Sequence, residues 1–170
     1  SSYIPVLCES PNVDIVCDIS KLPFKDNSID LIMSRSVMEH VPDPYVIFDE
    51  IKRSTKINGY SAHLMPWLMP FHASPYDFHR FSHVAVANIF KNWKLISQFP
   101  PFGPVTLFMH VFIEFVSSLF FSPDSKPKSV IYLLLCLLLF PIKYLDVLFP
   151  RSNKFIGLAP SIFSFFKKVD

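Results

Sequence analysis

Apolar and polar positions alternate in blocks along the first hundred residues, and the spacing within each block predicts its secondary structure. Runs of β-branched and apolar residues at 13–19 and 29–33 indicate two strands, which the polar turn 25–28 separates. A third apolar run at 60–65 predicts another strand, which Pro66 ends. Strands that alternate with helices at these lengths are typical of right-handed βαβ units, so we expect a parallel sheet.

Two helices are predicted between and after these strands. Asp43-Pro44 places an N-cap side chain before a proline at the first helical position, where the missing N–H costs nothing. This helix is expected to end over 56–59, with Gly59 as the left-handed residue beyond its carboxyl end. The second helix is expected from Ser82 to near Asn92. The apolar stripe of the first helix consists of Ile47, Phe48 and Ile51.

The apolar pattern changes near residue 100 and divides the chain into two parts. Residues 1–99 have mixed charges and predict a truncated α/β core, whereas 100–170 are dominated by Phe, Leu, Ile and Pro. The second part predicts a hydrophobic helical hairpin over 105–149 and a terminal strand within 155–168. The hairpin could lie in a membrane interface, which we favour, pack as core or dimer-forming helices, or span a bilayer.

Composition and charge exclude several classes of protein. Hydrophobic residues make up 51% of the 170 residues and charged ones 18%, which is too apolar for a disordered chain. Sixteen basic and 14 acidic residues give a net charge of +2, too balanced for the basic stripe that binds nucleic acid. The three glycines stand far apart, so this sequence contains no glycine-rich phosphate loop.

The number and spacing of the cysteines and the pattern of the opening residues indicate the cellular compartment in which we expect the protein. Cys8, Cys17 and Cys136 are odd in number and lack C-x-x-C spacing, which argues against a disulfide framework and a cysteine zinc site. The opening residues do not have the pattern of a signal peptide. We therefore expect a cytoplasmic protein, with peripheral membrane contact as a further expectation. Because the sequence does not begin with Met, we expect a fragment.

Polar residues follow two of the predicted strands. Asp18 lies at the end of the first strand, and Ser34 follows the second. Because ligands of such sheets bind outside the carboxyl ends of the strands, these positions are candidates for a binding site. An acid there can accept a hydrogen bond from an exocyclic amine or a sugar hydroxyl, although loop acids and serines are more often simply solvated.

Five short segments in one order resemble the class I S-adenosylmethionine-dependent methyltransferases of the small-molecule type. That family has D-x-x-x-L-P-F, S-F-D-x-V, E-H-V and E-x-x-R-x-L-K-P-G-G in series. The matching segments here are 18–24, 27–32, 37–44, 50–53 and 56–59. The resemblance implies a partial Rossmann-like sheet with helices on both faces, S-adenosylmethionine as cofactor, and a small-molecule, lipid or glycan acceptor. No segment of this sequence matches the first strand, the glycine-rich loop or the first helix of that family.

The resemblance also implies roles for single residues. Asp18 matches the acid that accepts the adenine amino group, Ile19 offers a backbone N–H to the ring, and Ser34 lines the methionine end of the cofactor. Glu39 and His40 match the pair near the substrate mouth, with His40 as the candidate base because imidazole titrates near neutrality. A structural role for each of the two residues, at the start of a helix, is equally open.

The segment 70–82 resembles a P-F-H-x-x-P-x-D-F-x-R-F-T stretch in one branch of the family. We expect it to lie over the substrate mouth as a lid, with His72, Tyr76 and Arg80 at the substrate and Asp77 paired with Arg80. Two other functions stay open: a non-catalytic membrane-associated module on the same fold, and a zinc hydrolase that uses the histidines. Since their spacing fits no helical ligand pair that shares one face, we expect no metal site.

Overall fold

In the computed structural model, residues 14–71, 76–121, 126–149 and 153–169 are described. Four strands within these described ranges form one sheet: β1 (Ile29–Arg35), β2 (Thr55–Pro66), β3 (Lys94–Phe99) and β4 (Ser161–Lys167). The α-helices are α1 (Pro44–Ser54), α2 (His83–Ile89), α3 (Pro104–Phe120) and α4 (Lys126–Leu139). Three 3-10 segments span Met38–His40, Phe140–Leu148 and Asn153–Leu158.

The sheet has the strand order β1-β2-β4-β3. β1 and β2 are parallel, as predicted, but β4 runs antiparallel to both of its neighbours, so the sheet is mixed. This geometry makes β3 parallel to β1 and β2. The carboxyl ends of those three strands therefore lie at one edge, where β4 begins and where ligands of such sheets bind.

The core fills one face of this sheet. Phe48 of α1, Val86 of α2 and Phe166 of β4 belong to one buried cluster. Phe90 stacks on Phe166 with ring centroids 4.7 Å apart and meets Phe48 edge-on at 5.7 Å. The aromatic contacts join both helices to the central strands, and they fix the edge at which β1 and β2 end.

The first helix follows its sequence signals at the start but not at the end. The Asp43 side chain accepts a hydrogen bond from the Tyr45 N–H, and Pro44 takes the first helical position. The helix ends at Ser54, and β2 begins directly at Thr55, so the expected end over 56–59 was wrong. Asn58, with φ of 65°, takes the left-handed conformation that was predicted for Gly59.

Two further predictions about strands need correction or addition. Described residues 14–19 form no strand, although their β-branched pattern predicted one. Strand β3 carried no signal strong enough to be predicted and exists because β4 supplies its partner. The terminal strand is confirmed as β4, although the segment Asn153–Leu158 before it is a 3-10 helix rather than a strand.

The apolar part of the chain forms a helical hairpin, as predicted. The Glu114 carboxylate of α3 accepts a hydrogen bond from the Lys128 ammonium at the start of α4 at 2.5 Å. At the other end, the Asp146 carboxylate accepts hydrogen bonds from the backbone N–H groups of Gly103, Val105 and Thr106 at 2.9–3.1 Å. It thus caps the start of α3. These two contacts make α3 antiparallel to α4 and the 3-10 segment that follows it.

Candidate functional site

The chain turns sharply where β1 ends at the carboxyl edge. Ser36 has φ of 50°, a left-handed conformation that is uncommon for a residue with a side chain, and its N–H donates to the Leu64 carbonyl at 2.9 Å. The turn leads directly into the 3-10 segment Met38–His40. It therefore brings Ser34, Glu39 and His40 to the same edge of the sheet.

Asp18 and Ile19 are both exposed, and Asp18 organises its own turn. Oδ1 of Asp18 accepts hydrogen bonds from the backbone N–H of Ser20 at 2.8 Å and from its hydroxyl at 2.7 Å. These bonds lower the pKa of the Asp18 carboxyl, which is therefore ionised at neutral pH. A fixed, exposed carboxylate can accept a hydrogen bond from an amino group or a hydroxyl of a ligand.

A carboxylate and a guanidinium on α1 hold the loop that follows Asp18. Oε2 of Glu50 accepts from the Leu22 N–H at 2.9 Å, and Arg53 donates to the Phe24 carbonyl at 2.9 Å and to Asp26 at 2.6 Å. Glu50 and Arg53 also bond to each other at 2.8 Å, which lowers the pKa of the Glu50 carboxyl. Sequence reasoning did not identify this pair as part of the site, although both residues stood in the quoted E-x-x-R pattern.

We expect the substitution Arg53→Ala to lower the urea concentration at the midpoint of unfolding, because it removes charge-assisted hydrogen bonds to Glu50 and Asp26 and takes the donor from the loop carbonyls of Leu22 and Phe24. Arg53→Lys should recover less than half of that decrease, since an ammonium cannot reproduce the forked geometry. Urea unfolding of the three proteins measures the midpoints. An unchanged midpoint in Arg53→Ala would show that the loop does not depend on this pair.

Glu39 and His40 lie in the 3-10 segment and contact the segment 76–81. The Glu39 side chain is fully buried, and its backbone carbonyl accepts a hydrogen bond from the Phe78 N–H at 2.6 Å. Nδ1 of His40 lies 2.6 Å from the Tyr76 carbonyl, which can only accept, so the proton sits on Nδ1. Nε2 of the same ring lies 3.7 Å from the Glu39 carboxylate.

Arg80 forms hydrogen bonds both within the segment 76–81 and to residues that follow the end of β2. It pairs through two nitrogens with the buried Asp77 carboxylate and donates to the Met69 carbonyl at 3.3 Å and to the Pro70 carbonyl at 3.3 Å. The expected pair of Asp77 and Arg80 is confirmed. The hydrogen bonds that Arg80 donates to Asp77 raise the pKa of its guanidinium most, and the nearby charge of Glu39 raises it further.

A buried histidine on β2 is the polar centre behind the site, and the sequence did not mark it as a site residue. Nδ1 of His63 lies 2.7 Å from the Ser34 hydroxyl, and its Nε2 meets the Ser61 hydroxyl. The ring stacks on Phe90 at 5.2 Å. Burial lowers the pKa of His63 to about 4, so the ring is neutral at pH 7 and fixes the Ser34 hydroxyl.

The structure thus brings together some of the predicted site residues and not others. Glu39, His40, Tyr76 and Arg80 form one contact group, with Tyr76 itself exposed. Ser34 instead makes its hydrogen bond with His63, on the core face of β1. His72 lies outside the described residues. Within the described ranges, no three histidine, cysteine or acidic side chains lie together as metal ligands.

Part of this chain is similar in sequence to known methyltransferases. Residues 7–62 match the family of methyltransferase domains. An uncharacterized methyltransferase of Mycobacterium sp. (strain KMS) is 42% identical over 53 residues, which are 31% of this chain and 21% of that protein. The matched region is therefore about a fifth of the relative's length.

Solved structures share the fold. The geranyl diphosphate C-methyltransferase of Streptomyces coelicolor A3(2), in complex with Mg²⁺, geranyl diphosphate and S-adenosyl-L-homocysteine, superposes with a TM-score of 0.50 at 10% identity. The alignment covers 91% of this chain and 52% of that one. The [4+2]-cyclase SpnF gives a TM-score of 0.51 at 12% identity, over 89% of this chain and 54% of its own. The predicted resemblance to class I S-adenosylmethionine-dependent methyltransferases is confirmed, as are the α/β fold and the apolar helix in the second part of the chain.

Proposed function

We propose that this chain, whose residues 7–62 match methyltransferase domains, takes part in the transfer of a methyl group from S-adenosylmethionine. The acceptor that we propose is a small molecule, a lipid or a glycan. One observation carries this proposal: the exposed Asp18 carboxylate is held in a fixed turn, and the loop after it is clamped by Glu50 and Arg53. That arrangement suits recognition of a nucleoside.

The residues present fit the adenosyl group. The ionised Asp18 carboxylate can accept from the adenine amino group, and the exposed Ile19 leaves its peptide open to the ring. We assign Ser34 to the methionine end, with its hydroxyl oriented by neutral His63. The cofactor supplies a methyl group already activated by a positive sulfur, so the main task of the protein is to place the acceptor in line with it.

We assign the acceptor side to Glu39, His40 and the segment 76–81. The Tyr76 carbonyl keeps a proton on Nδ1 of His40, so when the ring carries a single proton Nε2 is the atom that can take a proton from an acceptor hydroxyl or amine. The ring is partly exposed, with a quarter of its side chain accessible. We assign His72, Tyr76 and Arg80 to the acceptor's binding site, and Arg80 also holds the segment in place through Asp77.

A second candidate is a non-catalytic, membrane-associated module that keeps the fold without the activity. The observation that favours this candidate is the set of exposed apolar side chains on α3 and α4. We place the protein in the cytoplasm, with membrane contact through residues within 100–170. Binding of the cofactor product separates the two candidates.

We expect Asp18→Ala to weaken binding of S-adenosylhomocysteine by about 10- to 100-fold, as loss of a hydrogen bond to a charged acceptor does. Isothermal titration of the full-length protein measures the change. Ser20→Ala removes one partner of the Asp18 turn but keeps the carboxylate, and Asp49→Ala removes an exposed carboxylate of α1; both should stay within threefold.

Two results would contradict this proposal. If Ser20→Ala weakens binding as much as Asp18→Ala, the turn matters and the carboxylate is not the adenine acceptor. If the wild-type protein gives no heat with millimolar S-adenosylhomocysteine, the non-catalytic module is the better description.

A further inference from the structure

Helix α3 is apolar on both of its long faces. Its buried stripe of Met109, Ile113 and Ser117 recurs every four residues and packs within the protein. The opposite face is equally apolar yet open to solvent, with Phe108 70% exposed. A helix at a water surface normally carries polar residues on that face. The other exposed apolar side chains of α3 are Val111, Phe112, Phe115, Leu119 and Phe120.

Helix α4 and the 3-10 segment after it continue this surface. The stretch Lys128–Leu148 is, among the described residues, the one helical stretch long and apolar enough to cross a membrane, and none of its most apolar portion is buried. We call α3, α4 and the segment Phe140–Leu148 the apolar layer. Its exposed members after α3 are Val130, Leu133, Leu134, Leu137, Leu138, Phe140, Ile142, Tyr144, Leu145, Val147 and Leu148.

The charges of the apolar layer are arranged with a basic excess. The sequence of the layer has three lysines, Lys126, Lys128 and Lys143, against two carboxylates. Glu114 is paired with Lys128, and Asp146 accepts backbone hydrogen bonds at the start of α3, so both carboxylates are engaged within the layer. Lys143 lies over the Phe140 ring at 3.6 Å, beside the exposed Tyr144. Lys154 follows in the next 3-10 segment, against Phe155. The open face is therefore apolar with lysines and a tyrosine beside it.

We propose that the apolar layer docks into the surface of a lipid bilayer that contains anionic headgroups. A contiguous exposed surface of this kind marks an interaction site rather than an ordinary soluble face. The exposed apolar side chains of the layer would enter the acyl region, while Lys143, Tyr144 and Lys154 lie at headgroup level, as in interfacial helices. The lysines complement anionic headgroups.

Two other occupants fit the charges and the geometry less well. A second copy related by a twofold axis would bring the same basic rim against itself, with no described acidic partner from the layer. A span would need a straight stretch, whereas Phe140–Leu148 is a 3-10 segment containing Pro141 and is held back against α3 by Asp146. The pair of antiparallel elements therefore lies along the bilayer surface.

The position of the apolar layer determines which edge of the sheet would face the bilayer. α3 begins directly beyond β3, at the carboxyl edge of the sheet, and Nδ1 of His110 lies 3.2 Å from the Met69 sulfur just beyond β2. The layer is thus attached at the edge where β1 and β2 end. A docked protein would hold that edge near the lipid surface, whether or not the proposed methyl transfer occurs there.

Flotation of the full chain with vesicles tests this proposal. We expect binding to vesicles of seven parts phosphatidylcholine and three parts phosphatidylglycerol, and at least tenfold weaker binding for Leu134→Glu/Leu138→Glu. Those side chains are 59% and 73% exposed, so the fold should tolerate the change, which circular dichroism checks. The control Ile57→Glu/Val84→Glu adds the same charge at sites 55% and 63% exposed outside the layer and should bind like the wild type.

The charge complementarity is tested separately with Lys143→Glu. This variant should keep its binding to pure phosphatidylcholine and lose at least threefold on the anionic vesicles. Absence of wild-type binding at 1 mM lipid (a concentration typical of such assays) would overturn the proposal. So would equal loss in the control pair, or a wild-type dimer that Leu134→Glu/Leu138→Glu converts to a monomer without any lipid binding, since a second copy would then cover the face.

Discussion

Acidification from pH 7 to about 4 is expected to cost the folded protein roughly 2–3 kcal/mol through one residue, His63. Burial lowers the pKa of His63 to about 4 in the folded chain, against 6.5 when it is exposed. Below pH 6.5 His63 becomes protonated in the unfolded chain but stays largely neutral in the folded chain until the pH approaches 4. The contribution of the neutral His63 ring to the free energy of unfolding is therefore fully present above pH 6.5 and is lost as the pH falls toward 4.

Urea unfolding between pH 7 and pH 4 measures this loss for the wild type and for His63→Gln, which cannot titrate. The variant should be less stable at pH 7, because the ring contact with Phe90 is lost, but its stability should fall less steeply over the window. Burial also lowers the pKa of His110, so His110→Gln is the matched control and should keep most of the slope. An unchanged slope in His63→Gln would show that His63 does not set it.

The same histidine explains why Ser34 is suited to a site although it faces the core side of its strand. Ser34 and His63 are register partners on β1 and β2, so their side chains share one face. Both ring nitrogens of a protonated His63 would donate hydrogen bonds, so the ring could no longer accept one from a serine hydroxyl. The hydroxyls of Ser34 and Ser61 would then both have to act as acceptors. The position of the β1 end thus depends on a neutral ring.

The elements that the sequence predicted well have local causes. The start of α1 follows from Asp43 and Pro44, whose effect acts within one helical turn. Its apolar stripe, spaced at helical period, is buried as the pattern requires. The end of α1 was predicted too late, because Asn58-Gly59 looks like a helix stop but serves a bulge of β2 beside β1, where the register shifts.

The features that could not be predicted depend on partners far away in the sequence. β3 pairs with β4 more than sixty positions later in the chain, and its own pattern, with exposed Leu95 and Ile96, is weak. The sequence around His63 does not indicate that the hydroxyls of Ser34 and Ser61 will contact its ring. The likeness to a known family singled out Asp18 and the Glu39-His40 pair as candidates, whereas the contacts of Glu50 and Arg53 with the loop after Asp18 could be recognised only in the structure.

The substitution Arg80→Ala is expected to have the largest effect on stability, about 3–5 kcal/mol, because it leaves a buried carboxylate without its cation. Asp77 is 1% exposed at its side chain and receives two hydrogen bonds from Arg80, and the buried Glu39 also lies within reach of that positive charge. The loss corresponds to a fall in melting temperature of roughly 6–20 °C for a chain of this size.

Three variants make this prediction specific to the ion pair. Lys52→Ala removes an exposed lysine from its pair with Asp49 and should cost less than about 1 kcal/mol. Asp77→Asn/Arg80→Gln removes both charges, so it should be more stable than Arg80→Ala alone, because the uncompensated carboxylate is what costs most. If Arg80→Ala instead unfolds within 1 kcal/mol of the wild type, the segment 76–81 is held by its backbone contacts to Glu39 and His40. The carbonyl of Tyr76 would then keep its place at the His40 ring without help from the arginine.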